Sequence, residues 1–275
     1  MTRLLTIIMT AFAAFNAAEA KPRAVSLDYC SDQYLLKLAD PDQIIAVSRG
    51  SDKDYSHMRD EAAPYRKIRA SVEEVFALEP DVVLRQWGGG ANANTAFGRF
   101  DADVVALGYP DAFKGVIDNI RLAASALEQV ERGDVLISKL EDQLALLQLT
   151  ASPEIRVLYV TPGGVTAGAG TMIHAMITAG GVTNVAAEEG KSYWPPLPAE
   201  ELLLNPPQLI IAGFFGSQDE RINYWSAARH PAIAKLFANT PTLHLPTDLI
   251  SCAAWYAADA SAMIAEKAQE LNNDH

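Results

Sequence analysis

The side chains that could do chemistry here are mostly rings. Trp87, Trp194, Trp225 and Trp255 lie after apolar runs or in connecting segments: Gln86-Trp87-Gly88-Gly89-Gly90, Tyr193-Trp194-Pro195-Pro196, Tyr224-Trp225 and Ala254-Trp255. A core tryptophan usually sits inside a periodic apolar run. Four outside such runs favour a large, flat, partly apolar ligand gripped by rings, the alternative being rings that cap cores from outside. Tyr29, Tyr193, Phe214 and Phe215 stand in similar places, and Arg49 heads a basic stretch able to pair with carboxylates. Other chemistries find little. There is no Gly-x-Ser-x-Gly nucleophile elbow and no phosphate-cradling Gly-x-x-x-x-Gly-Lys-Ser/Thr, and Gly163 to Gly170 lacks the dinucleotide order. His57, His174, His230, His244 and the terminal His275 form no His-x-His or His-x-x-x-His pair, which argues against a bare-metal site. Glu73 and Glu74 are adjacent, so they diverge on a helix and do not form an acid/base pair.

The elements that must position these residues read as alternating strands and helices. One stretch occurs twice without a gap, Glu73-Glu74-Val75-Phe76-Ala77-Leu78-Glu79-Pro80-Asp81-Val82-Val83-Leu84 and Glu200-Glu201-Leu202-Leu203-Leu204-Asn205-Pro206-Pro207-Gln208-Leu209-Ile210-Ile211. Each copy predicts a short amphipathic helix, a proline stop and a buried strand. Each strand is followed by an aromatic and glycine, Trp87-Gly88 or Phe214-Phe215-Gly216. Ligands of open α/β sheets bind outside the carboxyl ends of strands, so each half presents rings where its sheet meets a ligand.

Strands are predicted at 23–27, 44–47, 81–85, 103–107, 156–160, 183–185 and 243–245, besides 208–211 in the second copy. Helices are predicted from Ser31, Ala112 to Leu127, Glu131 to Leu149, from Thr171, near Arg221 to Ala228 and Cys252 to Leu271. Ser71-Val72-Glu73-Glu74 fits a capping box. Residues 48–70, mixed and basic, read as a long surface loop. The resulting fold class is α/β: two similar lobes (21–130 and 153–275), each a mostly parallel sheet flanked by helices, joined by one long rigid helix over 131–152.

Met1 to Ala20 has Arg3, an apolar run and Ala18-Glu19-Ala20, the features of a secretory signal peptide. The run is about 15 residues, short of the roughly 20 a membrane-spanning helix needs. Leu27-Asp28-Tyr29-Cys30 has lipid-anchor spacing, but Asp28 and Tyr29 are wrong for the small residues that cleavage prefers. The rest is long enough for two ordinary domains, and its 49% hydrophobic content supplies full cores. A net charge of −12 excludes a nucleic-acid partner. Two cysteines in an exported chain point to a pair.

With the repeat, Trp87-Gly88-Gly89, Tyr193-Trp194-Pro195 and Tyr224-Trp225, the chain resembles the periplasmic solute-binding proteins of ABC importers for iron complexes and cobalamin. The resemblance covers nearly all of the chain after Ala20, and cobalamin-binding members carry tryptophans in segments similar to those of Trp87, Trp194 and Trp225. It implies the helix-linked, class III architecture, no enzymatic activity, no cofactor, and a monomer that delivers a metal chelate (cobalamin or a ferric siderophore) from the periplasm to a membrane permease. Trp87, Phe214 and Trp225 would stack on the ligand, with Tyr29, Arg49, Tyr193, Trp194, Phe215 and Trp255 completing the wall. Docking on the permease would use carboxylates of both lobes. The expected glutamate beyond Trp87 is replaced by Ala91-Asn92-Ala93-Asn94, leaving Glu73 or Glu74 in the first lobe and Asp219 and Glu220 in the second. Cys30 opens the first helix and Cys252 the last, both beyond strand carboxyl ends, so a disulfide stapling the lobes is expected. Two alternatives remain: an exported α/β hydrolase, which lacks a nucleophile context, and a bare zinc or manganese carrier, which needs clustered ligands.

Overall fold

The structure is a computed structural model and describes residues 20–99, 101–197, 202, 205–214 and 231–273. The first lobe runs β1 (Ala24–Ser26), α1 (Tyr29–Leu38), β2 (Ile44–Ser48), α2 (Arg59–Ala62), β3 (Arg66–Ile68), α3 (Val72–Phe76), β4 (Val82–Arg85), α4 (Ala93–Phe97), β5 (Asp103–Ala106) and α5 (Phe113–Ala126). The connecting helix α6 (Val130–Gln148) leads to β6 (Arg156–Val160), α7 (Met172–Ala179), β7 (Thr183–Asn184), α8 (Val185–Glu188), β8 (Leu209–Ala212), α9 (Pro231–Asn239), β9 (Thr242–His244), α10 (Thr247–Ile250) and α11 (Ala257–Asn273).

Every strand pairing is parallel, in the orders β3-β2-β1-β4-β5 and β7-β6-β8-β9. The inner strands are continuous apolar runs because helices cover both their faces. Val83 is flanked by Val25 and Val104, and Ile210 by Leu158 and Thr242. The strands of the two repeat copies, β4 and β8, hold the same station in their lobes: each lies beside its lobe's first strand and hands on to its edge strand. The helix of the second copy lies outside the described residues except for Leu202, which is buried.

Two features differ from the sequence reading. Residues 48–70 are not a bare loop, since they contain α2 and the edge strand β3, which pairs Ala46 with Arg66 and Ser48 with Ile68. Only Ile68 of β3 is buried; charged neighbours suit a strand with a free edge and hide it from a hydrophobic pattern. The last helix starts at Ala257 rather than Cys252, because the chain after α10 first crosses to the other lobe. As the expected cysteine pair implies, α6 is not the only link between the lobes. Cys30 of α1 is bonded to Cys252 with Cα atoms 5.5 Å apart, and the Tyr34 hydroxyl donates to Ala253 O at 3.0 Å. His57 stacks on Tyr256 at 4.0 Å, and Arg59 pairs with Asp248 at 3.3 Å. Buried residues of both lobes consequently form one apolar cluster from Ala24 to Ala268. Among the described residues no helix is long and apolar enough to cross a membrane.

Candidate functional site: a ring-lined cleft at two strand switch points

In the first sheet β1 lies beside β4 although β2 and β3 intervene in sequence, so the winding reverses between them. Open α/β sheets leave a crevice at such a point. Asp28 follows β1 and its carboxylate is buried. One oxygen accepts the Ser31 N–H at 2.9 Å and so caps α1. The other accepts the N–H groups of Gln86, Trp87 and Gly88 at 2.7, 3.1 and 2.9 Å, and so holds the turn after β4. That turn also needs glycine: a Cβ on Gly88 would lie 2.5 Å from the Leu27 backbone oxygen. Arg85 fixes its far side, donating to Gly88 O (2.7 Å), Asn94 Oδ1 (2.7 Å) and Gly90 O (3.0 Å). Gly88 therefore serves the chain's own packing. Trp87 stands on this turn 38% exposed, edge-on to Tyr29 at 4.9 Å between centroids, and Tyr29 meets Tyr55 at 4.6 Å. Burial, then the neighbouring Tyr55 and Asp28, raises the Tyr29 phenol above its ordinary value.

One helical turn on, Asp32 ties the ends of β1 and β2 together. It accepts the hydroxyls of Ser26 and Ser48 and the Ser48 N–H at 2.9 Å. Burial outweighs these bonds and pushes its carboxyl up to about 6.

The second sheet reverses between β6 and β8. Tyr159 of β6 is fully buried, its hydroxyl has no described partner, and burial drives the phenol up. A Cβ on Gly213, just past β8, would collide with that hydroxyl. Phe214 follows, 38% exposed, in left-handed backbone at φ 63°. The loops 161–170 and 190–197 are zipped together by backbone: Gly168 N–H to Tyr193 O (2.8 Å), Tyr193 N–H to Ala169 O (2.8 Å), Thr166 N–H to Pro195 O (3.0 Å) and Leu197 N–H to Gly164 O (2.9 Å). This zipper presents Tyr193 (φ 58°) and Trp194, both exposed, with Trp194 6.4 Å from Tyr159. Bulky side chains rarely adopt positive φ, and such residues cluster at ligand clamps.

A family model described as periplasmic binding protein matches residues 24–221. The chain belongs to the periplasmic binding protein family. A cobalamin-binding protein of Halobacterium salinarum is 26% identical over 200 residues, 70% of this chain but only 53% of that relative's length. A vitamin B12-binding protein of Salmonella typhi is 26% identical over 75% of this chain and 78% of its own. Among solved structures, a periplasmic heme-binding protein of Vibrio cholerae superposes with a TM-score of 0.73 at 16% identity, covering 89% of this chain and 98% of its own. The periplasmic vitamin B12-binding protein of the same species gives 0.66 at 17%, covering 92% and 98%. These likenesses show the two-lobed fold, and the family is one of binding proteins, not enzymes.

Within this periplasmic binding protein fold, the structure brings Tyr29 with Trp87 in one lobe and gathers Tyr193, Trp194 and Phe214 at the strand ends of the other. Arg49, at the end of β2, is exposed and bonds no described residue. Trp255 is a correction. It packs edge-on against Tyr34 (5.7 Å) and Tyr256 (5.3 Å), with Lys37 Nζ 5.6 Å from its ring centre, so it fills the seam between lobes and not the ligand wall. Phe215, Trp225, Asp219 and Glu220 lie outside the described residues. Glu73 is exposed on the first turn of α3, which follows the carboxyl end of β3. Glu74 is engaged: Ser71 caps α3 through the Glu74 N–H at 3.3 Å, but the Glu74 carboxylate takes the Arg69 N–H at 2.5 Å instead of closing the box on Ser71. Among the described residues no three His, Cys, Asp or Glu side chains form a metal-holding group.

Sequence reasoning missed Asp28, Asp32, Arg85, Tyr55 and Tyr109. Asp28 three residues before Ser31 was a readable cap signal; its three bonds to the Trp87 turn were not. Tyr109, 71% exposed, donates to Gln86 O at 3.3 Å, beside the Trp87 turn.

Proposed function

We propose that this chain is the substrate-binding component of an ABC importer. It is exported to the periplasm by residues 1–20, captures a flat metal chelate of the tetrapyrrole kind, with cobalamin foremost, and hands it to a membrane permease. The observation that carries the reading is the set of exposed rings at the strand ends of both lobes: Trp87 on one side, Tyr193, Trp194 and Phe214 on the other. Flat faces match flat ligands, and each stacked ring adds about 1 kcal/mol beyond the area it buries. Two relatives described as cobalamin- or vitamin B12-binding support the same choice. Glu73 is the first-lobe carboxylate best placed to meet the permease, with Asp219 and Glu220 its counterparts.

Heme is the second reading, favoured by the heme-binding neighbours in fold. The test is the visible spectrum of protein purified from its native host, followed by calorimetric titration with cyanocobalamin. A corrinoid spectrum or saturable one-to-one heat supports the proposal. A Soret band with no cobalamin heat transfers it to heme, and a colourless protein inert to both removes it.

A further inference from the structure

A groove of about 620 Å³ opens where both lobes meet the connecting helix. The turn into α5 and its first residue contribute Asp111 and Phe113, α6 contributes Leu144, and the turn into α7 and its first turn contribute Gly170 and His174. It adjoins the ring wall, since a Cβ on Gly170 would lie 3.4 Å from the Tyr193 ring. We infer that this groove is a subsite for an uncharged primary-amide arm of the ligand held in the cleft. The inference rests on the tetrapyrrole reading and narrows it to a corrinoid, whose rim carries amides, against heme, whose rim carries carboxylates.

The argument starts at Asn184. Its Oδ1 accepts the Ala186 N–H at 3.1 Å, which fixes which end of the side-chain amide is oxygen. Its Nδ2 then donates to Ala167 O at 2.9 Å and faces His174 Nδ1 at 3.2 Å. Nδ2 has no lone pair to offer, so Nδ1 accepts and the imidazole proton sits on Nε2. Burial holds the ring below its ordinary pKa, so it is neutral near pH 7. The groove is thus offered a neutral N–H donor from His174, which cannot ligate a metal through Nε2 without giving up the Asn184 bond. Asp111 brings a carboxylate acceptor to the same walls. A primary amide carries both an acceptor oxygen and N–H donors, and so has a group for each of them. A carboxylate has acceptors only, and its charge matches that of Asp111.

The experiment titrates the full chain with cyanocobalamin and with its monocarboxylic acids, in which one propionamide at a time is hydrolysed. At least one acid should bind roughly tenfold more weakly than the parent, the worth of one net hydrogen bond and a like-charge contact. Asp111→Asn should narrow that ratio. His174→Ala should weaken the parent by roughly threefold. A thermal melt checks that its fold survives, and Asp111→Asn decides the matter if it does not. Equal binding of the parent and every acid to the wild type, or a ratio unmoved by Asp111→Asn, overturns the subsite and leaves the carrier reading standing. Failure of the wild type to bind cyanocobalamin overturns both.

Discussion

Trp87 is held by side chains, whereas Tyr193 is held by backbone. In the first lobe one buried carboxylate, Asp28, grips three amides of the turn that carries the ring, and Arg85 grips three acceptors on its other side. In the second lobe the aromatic loops pair strand-like with each other, and two bulky residues sit at positive φ. The first arrangement makes a wall pre-formed before ligand arrives. The second stores strain, of order 1–3 kcal/mol per residue, in a rim that ligand contact can use.

The largest test of this contrast is removal of the hubs. Asp28→Ala strands the cap of α1 and three turn amides and should cost roughly 2–4 kcal/mol in urea denaturation. Asn184→Ala, the nearest counterpart in the second lobe, loses one cap and two N–H bonds and should cost roughly 1–2 kcal/mol. The reverse order would break the comparison.

A pH series sharpens it. The folded Asp32 carboxyl lies at about 6, above its ordinary 3.8, so the folded state binds this proton more tightly than the unfolded one. That contribution is complete below the ordinary value and is lost as pH rises through about 6. Relative to Asp32→Asn, the wild type should lose on the order of 2 kcal/mol between about pH 4 and 7. Exchange protection should change in β1 and β2 but not in β6 and β8; equal changes in both sheets would assign the effect elsewhere.

Smaller still is the relief of strain. Phe214→Gly should raise stability by about 1 kcal/mol, because glycine takes φ 63° freely, while weakening ligand binding through the lost ring. Trp87→Gly, with no positive φ to relieve, should gain nothing. A melting temperature lowered by Phe214→Gly would mean that the rim is not strained.

Much of the frame was legible because its signals are local. The apolar runs 82–84, 157–160 and 209–212 and the leucine spacing of α6 carry the fold in their own residues. β3 was hidden because an edge strand buries only one of its residues, Ile68. The start of α11 was misplaced because Ser251 to Tyr256 is spent reaching α1, where Tyr34 meets Ala253. Trp255 was assigned to the wall for the same reason: its partners, Tyr34 and Lys37, are more than two hundred residues away. Asp28 and Asp32 look like ordinary first-turn acids, and their roles exist only once β4 and β2 end beside β1.

The central claim is that one ligand lies between rings of both lobes, and calorimetry with cyanocobalamin on wild type, Trp87→Ala, Phe214→Ala and the double variant tests it most directly. Each single change should weaken binding by roughly fivefold and the double by more than either, with one-to-one stoichiometry kept throughout. Unchanged affinity in both single variants would contradict it.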